Sequence, residues 1–277
     1  MKLKVYGCRG SVPTSHTPPS KYGGNTSCIS VETDGHTLVL DAGSGLAQFE
    51  KDLKRRCPEY LNDLQEPVDI LISHLHMDHI IGLPVFGPVW NKSGARIYTC
   101  FRGEDKRSLK KQILGIFRPP YWPTSMAEVA NVECVPVRDA WTFTLGPYNI
   151  TPFAAVHPDT TLSFYITNGE KTIVHLLDSE TSLMAEDDYA VMVGYCTDAD
   201  MVVFDAAYSP EDYIKKKGWG HSTIEDGIKL AERSNCKRML FSHFSFEYTD
   251  EQLEKIEARV PCEKRYIFAR DGLEIEI

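Results

Sequence analysis

Within the run His74-Leu75-His76-Met77-Asp78-His79, four side chains able to ligate a metal ion fall inside six residues. The preceding stretch, Val68-Asp69-Ile70-Leu71-Ile72-Ser73, is mostly apolar and of strand length, so the cluster stands where a strand leaves its sheet. With a period of two, His74 and His76 project from the same side of the extended chain. If the chain turns into a helix near Asp78, that carboxylate and His79 face back to the same spot. Four such groups at the end of a buried strand serve no purpose as solvated surface; they are the donors of a cation site.

The run matches the HxHxDH signature, and on it the chain resembles the metallo-β-lactamase superfamily. The resemblance implies an α/β fold, an αββα four-layer sandwich, with two divalent ions at its centre. In the family, the first two histidines, here His74 and His76, hold one metal, and the aspartate and third histidine, Asp78 and His79, hold the other. The remaining family positions fall on three later strand ends. His157 follows Ala154-Ala155-Val156 and stands as the third ligand of the first metal. Asp178 ends the strand Ile173–Leu177 as the bridging carboxylate. His243 follows Met239–Ser242 and completes the second site. His175, three residues before Asp178, has opposite strand parity and is expected to point to the other face as a structural residue. His16 and His36 read as ordinary surface residues. Mixed imidazole and carboxylate ligation suits Zn2+, with Mn2+ or Fe as alternatives. Two ions roughly 3.5–4 Å apart would lower the pKa of a bridging water, so the implied chemistry is hydrolysis by a metal-bridging hydroxide without a covalent enzyme intermediate.

Other stretches narrow the branch. Gly7-Cys8-Arg9-Gly10-Ser11-Val12-Pro13 and Tyr22-Gly23-Gly24-Asn25-Thr26-Ser27-Cys28 resemble the opening of the phosphodiesterase branch, which includes tRNase Z and cyclic nucleotide phosphodiesterases. Asp41, in Leu40-Asp41-Ala42-Gly43, matches the family's early aspartate and is expected to orient ligands. Phe204-Asp205-Ala206-Ala207 and Gly220-His221-Ser222-Thr223 resemble the DA…HST segment of that branch. The resemblance implies that His221 assists the leaving oxygen as the P–O bond breaks, with Asp205 behind it. Asp78 is expected both to hold its metal and to orient the nucleophile. Tyr121, Trp122, Trp219, Phe244 and Phe246 are candidates for stacking on a base. The resemblance implies a phosphodiesterase, and the expected substrate is a 3′,5′-cyclic mononucleotide; similar enzymes include those with which phages degrade cyclic-nucleotide defence signals. A homodimer, with the Pro-rich loop of one subunit over the other's site, is a further expectation from the resemblance. Two alternatives stand beside this reading: a tRNase Z-like nuclease acting on RNA or DNA, and a protein that sequesters a nucleotide without turnover.

The elements that must position these residues are legible as short β-like runs. They are Lys2–Tyr6, Cys28–Glu32, Thr37–Asp41, Val68–Ser73, Arg96–Thr99, Val132–Val137, Asn149–Val156, Leu162–Thr167, Thr172–Leu177, Met201–Phe204, Arg238–Ser242 and Arg265–Phe268, with Asp34-Gly35 turning a hairpin. A helix is expected over Leu46–Arg56. Capping boxes at Ser222–Glu225 and Thr249–Gln252 open two more. Residues 101–130 begin as a basic helix (Lys106, Arg107, Lys110, Lys111) and end in Phe117-Arg118-Pro119-Pro120-Tyr121-Trp122-Pro123, read as a rigid lid or partner-contact loop.

Composition bounds the rest. The 277 residues are 42% hydrophobic and 25% charged, which describes an ordinary globular chain, and no linker or repeat divides it, so residues 1–277 read as one domain. A formal charge of −9 argues against a long nucleic acid as the main partner but not against a small phosphodiester held by cations. The 101–130 segment is short for a tRNA-holding arm, and no cysteine-rich zinc cluster is present. Eight scattered cysteines without a CxxC pair, a strand-like N-terminus and the absence of a long apolar run predict a cytoplasmic protein away from the membrane.

Overall fold

The computed structural model describes residues 1–15, 20–56, 66–100 and 107–277. The β-like runs assemble into two seven-stranded sheets. The first contains β1 (Lys2–Gly7), β2 (Cys28–Thr33), β3 (His36–Leu40), β4 (Val68–Leu71), β5 (Ala95–Cys100) and β6 (Val132–Val137). The second contains β7 (Phe143–Leu145), β8 (Tyr148–Ala154), β9 (Leu162–Thr167), β10 (Thr172–Leu176), β11 (Met201–Asp205), β12 (Met239–Ser242) and β13 (Tyr266–Phe268). The last strand, β14 (Glu274–Glu276), returns to the first sheet and pairs antiparallel with β1. Asp34 and Gly35 take φ of 50° and 77° and Thr33 pairs with His36 across them, the left-handed hairpin turn whose twist suits the flanking strands.

Period-two alternation decides which side chains face which layer. Leu38 and Leu40 of β3, with Leu71 of β4, share a core with Ile150, Phe164 and Ile173 of the second sheet. Their neighbours Val39 and Ile70 face the other way. There they meet Leu46 and Phe49 of α1 (Leu46–Arg56), Ile80 of α2 (Met77–Ile80), Leu109 and Ile113 of α3 (Arg107–Leu114) and Met126 of α4 (Met126–Val129). The second sheet is covered by α5 (Glu186–Cys196), which buries Met192 and Cys196, and further along the chain comes α6 (Pro210–Lys216). α7 (Ile224–Ser234) buries Leu230 and Ala231 on the same side, and α8 (Asp250–Glu257) buries Leu253. Helices, sheet, sheet and helices make the four-layer α/β sandwich of the metallo-β-lactamase fold.

Two caps and one loop bear on the sequence expectations. α8 opens with the reciprocal Thr249–Gln252 box. The box of α7 is shifted by one residue from its expected place: Thr223 caps and Asp226 answers it, because Ser222 is turned inward, its hydroxyl donating to Ser179 O at 2.6 Å. In the 115–125 loop, Phe117 is buried in the outer core and Trp122 packs beside it, rings 6.5 Å apart; the loop is anchored there rather than free along its length. Lys106 and His16 lie outside the described residues. Among the described residues, seven cysteines are free thiols and no helix is long and apolar enough to cross a membrane.

Strand direction places the site. β3 and β4 run parallel in the first sheet, and β10, β11 and β12 run parallel in the second. The chain leaves β3, β4, β10 and β12 at Asp41, the Ser73–His74 turn, Asp178 and His243, and β11 ends on Asp205. Carboxyl ends of parallel strands carry side chains that the ladder does not occupy, which is where open α/β sheets build their sites.

Candidate metal centre

Three of these strand ends are sharp. Asp41, Asp178 and His243 take φ of 58°, 52° and 63°, a left-handed conformation that costs a non-glycine residue roughly 1–3 kcal/mol. The kink at each stops the strand and swings the side chain towards the gap between the sheets. It also ends strand parity, and this corrects the expectation for His175. The ring of His175 is fully buried on the site's own side, with Nε2 3.7 Å from Asp41 Oδ2.

The structure brings all seven candidate ligands into two adjoining groups. His74, His76 and His157 offer ligand atoms within 4.8 Å of one another, and so do Asp78, His79 and His243. Asp178 stands between them. Its Oδ1 lies 3.8 Å from His74 Nε2 and 3.9 Å from His157 Nε2, while its Oδ2 lies 3.2 Å from His79 Nε2 and 3.4 Å from His243 Nε2. One carboxylate therefore presents one oxygen to each group. His76 is the exposed member, its side chain 47% accessible, and marks the open side.

Behind the inward-facing Nε2 atoms, a second row holds the Nδ1 atoms. Asp41 Oδ2 lies 2.9 Å from His79 Nδ1, and its Oδ1 accepts from the Ser73 amide and hydroxyl. Ser73 Oγ lies 3.1 Å from His74 Nδ1, and Thr161 Oγ1 lies 3.1 Å from His157 Nδ1. Such partners fix ring orientation and tautomer. Burial opposes ionisation of Asp41, yet the charge and hydrogen bond of His79, with His175 and the Ser73 amide, hold its carboxyl down at about 2.

The inner atoms face one another as ion-pair neighbours without hydrogen bonds. His74 Nε2, His79 Nε2 and Asp178 Oδ2 are buried without a hydrogen-bond partner. Leaving a buried polar atom unsatisfied costs about 1–3 kcal/mol, and a divalent cation in each group would satisfy them. The residues thus fit a pair of metals on donor chemistry as well as arrangement.

The two groups differ in how readily they hold protons. Burial, with the neighbouring His221 and His76, lowers His157 to about 4 against the pull of Asp178. Burial and His79 likewise lower His74. In the other group burial is outweighed: Asp178, the hydrogen bond to Asp78, and Asp205 raise His243 to about 9, and Asp178, Asp41 and Asp78 raise His79. A metal entering the histidine-only group meets free lone pairs on His74 and His157 at neutral pH. One entering the Asp78 group must displace protons from His79 and His243, so its affinity rises with pH through the neutral range. Zinc titrations between pH 7 and 8.5 are expected to show one binding step that strengthens with pH more steeply than the other, by about tenfold per pH unit per proton released. Two steps with the same flat pH dependence would contradict this.

The N-terminal glycine-rich loop closes the Asp78 side. Ser11, at φ 65°, turns its amide to Asp78 Oδ2 at 2.7 Å, and Gly10 N donates to Phe244 O at 3.0 Å. Arg9 is fully buried and ties this loop to Gly23 O and Tyr248 O. Gly10 is required by contact: a Cβ there would stand 2.6 Å from Cε1 and Nδ1 of the His243 ring. Gly10→Ala is expected to displace that ring and lower hydrolysis about 100-fold, the scale of a 1 Å misplacement, with loss of one bound ion before the other. Unchanged activity and metal content would show that the ring has room to move.

His221 and Asp205 flank Asp178. Asp205 Oδ2 accepts from His221 Nδ1 at 2.9 Å, which leaves Nε2 for a substrate, and His221 Nδ1 is 3.7 Å from Asp178 Oδ1. Burial opposes protonation of His221, but the charge and hydrogen bond of Asp205 raise its pKa above the ordinary value. Among the aromatic candidates, Trp219 and Phe246 are exposed on the loops that carry His221 and His243, and Tyr121 projects into solvent. Phe244 is a correction. It is fully buried, stacked on Phe268 at 5.5 Å and edge-on to Tyr22, because the kink at His243 turns the next side chain back into the core. Trp122, packed on the outer core, has only part of its ring to offer. One residue that sequence reasoning missed is Glu180, a buried carboxylate that grips the loop before His221.

Comparison with known proteins gives the family. The model of the family described as "Beta-lactamase superfamily domain" matches residues 36–244, and the chain belongs to that superfamily. Ribonuclease Z 2, mitochondrial, of Schizosaccharomyces pombe is 23% identical over 288 residues, covering 98% of this chain and 38% of that protein. Ribonuclease Z of Bradyrhizobium diazoefficiens is 23% identical over 299 residues, covering 93% and 94%. The metallo-β-lactamase fold protein YhfI from Bacillus subtilis superposes with a TM-score of 0.72 at 20% identity, covering 100% of this chain and 99% of that one.

Proposed function

We propose that the chain is a dinuclear-metal phosphodiesterase. The observation that carries this reading is the Asp205–His221 pair set 3.7 Å from the carboxylate that joins the two ligand groups. His74, His76 and His157 would hold one ion, Asp78, His79 and His243 the other, with Asp178 shared. Bound there, two divalent cations, Zn2+ on the ligand chemistry, would bind the non-bridging phosphoryl oxygens and lower the pKa of water. The chain's own part is positioning and one proton. Asp41, Ser73 and Thr161 fix the ligating rings, and Ser11 N holds Asp78 so that its free oxygen can orient the nucleophile. His221, protonated through its pairing with Asp205, donates from Nε2 to the departing oxygen as the P–O bond breaks.

For the substrate we favour 3′,5′-cyclic mononucleotides, a reading supported by the net charge of −9 and by Trp219 and Phe246, exposed on the loops that carry His221 and His243. Exposed Ile116, Tyr121 and Val129 support a homodimer formed through the 115–129 segment. A second reading, a nuclease acting on RNA, is favoured by the ribonuclease Z relatives. The two separate in one experiment, in which zinc- or manganese-loaded protein is offered cyclic mononucleotides, cyclic dinucleotides and a 3′-extended tRNA transcript. Turnover of the mononucleotides supports the first reading. Cleavage of the transcript alone replaces it with the second, and inertness towards every diester overturns both.

A further inference from the structure

The loop that delivers His221 is gripped from within by Glu180, which is 1% exposed. Its Oε1 accepts from the Gly218 amide at 2.7 Å and from the Tyr213 hydroxyl at 2.6 Å, and its Oε2 accepts from the Gly220 amide at 2.8 Å. Both glycines take left-handed backbone, φ 88° and 94°, so the clamp holds a conformation that other residues resist. The main chain of Glu180 is tied on the opposite side: its amide donates to Val156 O at 2.8 Å, one residue before His157. Gly220 backs onto that same histidine, since a Cβ there would come within 2.1 Å of His157 Cδ2. A residue two places after Asp178 therefore joins the loop of His157 to the loop of His221. Taking a carboxylate out of water is costly unless charge-assisted hydrogen bonds replace its hydration. Three do so here, two of them from the backbone immediately before His221.

We propose that Glu180 is a positioning residue for the phosphodiester reaction. It sets Gly218–Gly220 so that His221 stands against the leaving oxygen, and it does not touch substrate itself. This rests on the reading of His221 as the group that protonates the leaving oxygen. Glu180→Gln keeps the shape but turns one acceptor into an NH2 that faces a donor, releasing one anchor of the loop.

The test compares two artificial diesters, so that nucleotide preference plays no part. Bis-(p-nitrophenyl) phosphate expels a leaving group that needs little help from a proton; diphenyl phosphate expels a poorer one. His221→Ala is expected to lose more on diphenyl phosphate, lowering the ratio of the two rates. Glu180→Gln is expected to lower the same ratio about tenfold, part of a proton-transfer contribution of roughly 100-fold or more, with both ions retained and faster hydrogen exchange at the Gly218 and Gly220 amides. In the double variant the ratio should fall no further than in His221→Ala, as for two residues acting through one group. Tyr213→Phe removes one donor from the same carboxylate and is expected to shift the ratio in the same direction by less; it carries the test should Glu180→Gln fail to fold. An equal loss on both diesters in Glu180→Gln, or no ratio change in either variant while His221→Ala shows one, overturns the proposal and leaves His221 standing. An unchanged ratio in His221→Ala overturns the reading of His221 first.

Discussion

Asp178→Asn is expected to lower phosphodiester hydrolysis roughly a thousandfold or more, about 4 kcal/mol of transition-state stabilisation, and to leave fewer than two ions per chain. The carboxylate faces His74 and His157 with one oxygen and His79 and His243 with the other, at 3.2–3.9 Å throughout. Burial works against its ionisation, but His243, His79 and His74 hold its pKa well below the ordinary range, so the charge is present at any pH where the protein works. Asparagine keeps the shape and one oxygen. It puts an NH2, with no lone pair to give, where the other ligand group needs a donor, and it removes the negative charge that two neighbouring cations require. Metal content after desalting and zinc titration give the readout. Two tightly held ions in the variant would show that Asp178 is not shared between the groups.

His221→Ala is expected to act on the reaction without emptying the site. Its imidazole lies outside both ligand groups as we assign them, and its Nδ1 is engaged by Asp205 at 2.9 Å. Both ions should stay, KM should change little, and kcat should fall about 100- to 1,000-fold, the range of general acid catalysis. Asp205→Asn should fall in the same direction by less, because the ring remains but loses the carboxylate that orients it and raises its pKa. Metal loss in His221→Ala comparable to that in Asp178→Asn would make His221 a ligand instead of a proton donor.

Much of the site is local in sequence, which is why it could be read there. His74, His76, Asp78 and His79 sit within one strand exit, and the downstream candidates each follow an apolar run that the sheets absorb as a strand. The misses have physical causes. Parity placed His175 on the wrong face because it assumes an extended chain, and Asp178 at φ 52° ends the extension. The same kind of kink at His243 buries Phe244, which the sequence leaves indistinguishable from a substrate-facing aromatic. α5 escaped notice because Val191-Met192-Val193 run together and blur a helical stripe. β7 and β14 are three-residue edge strands, defined by their partners more than by their own residues. Glu180 could not stand out, because its role is set by the amides of Gly218 and Gly220, and a backbone donor has no letter in a sequence.

That these two ligand groups, with His221 beside them, hydrolyse phosphodiesters is our proposal. Its most direct test is the rate of bis-(p-nitrophenyl) phosphate hydrolysis by protein carrying two zinc ions, measured against Asp178→Asn prepared in the same way. Steady turnover by the former and a loss of roughly a thousandfold or more in the latter is the predicted result. No turnover by fully loaded protein, or equal turnover by both, would contradict it.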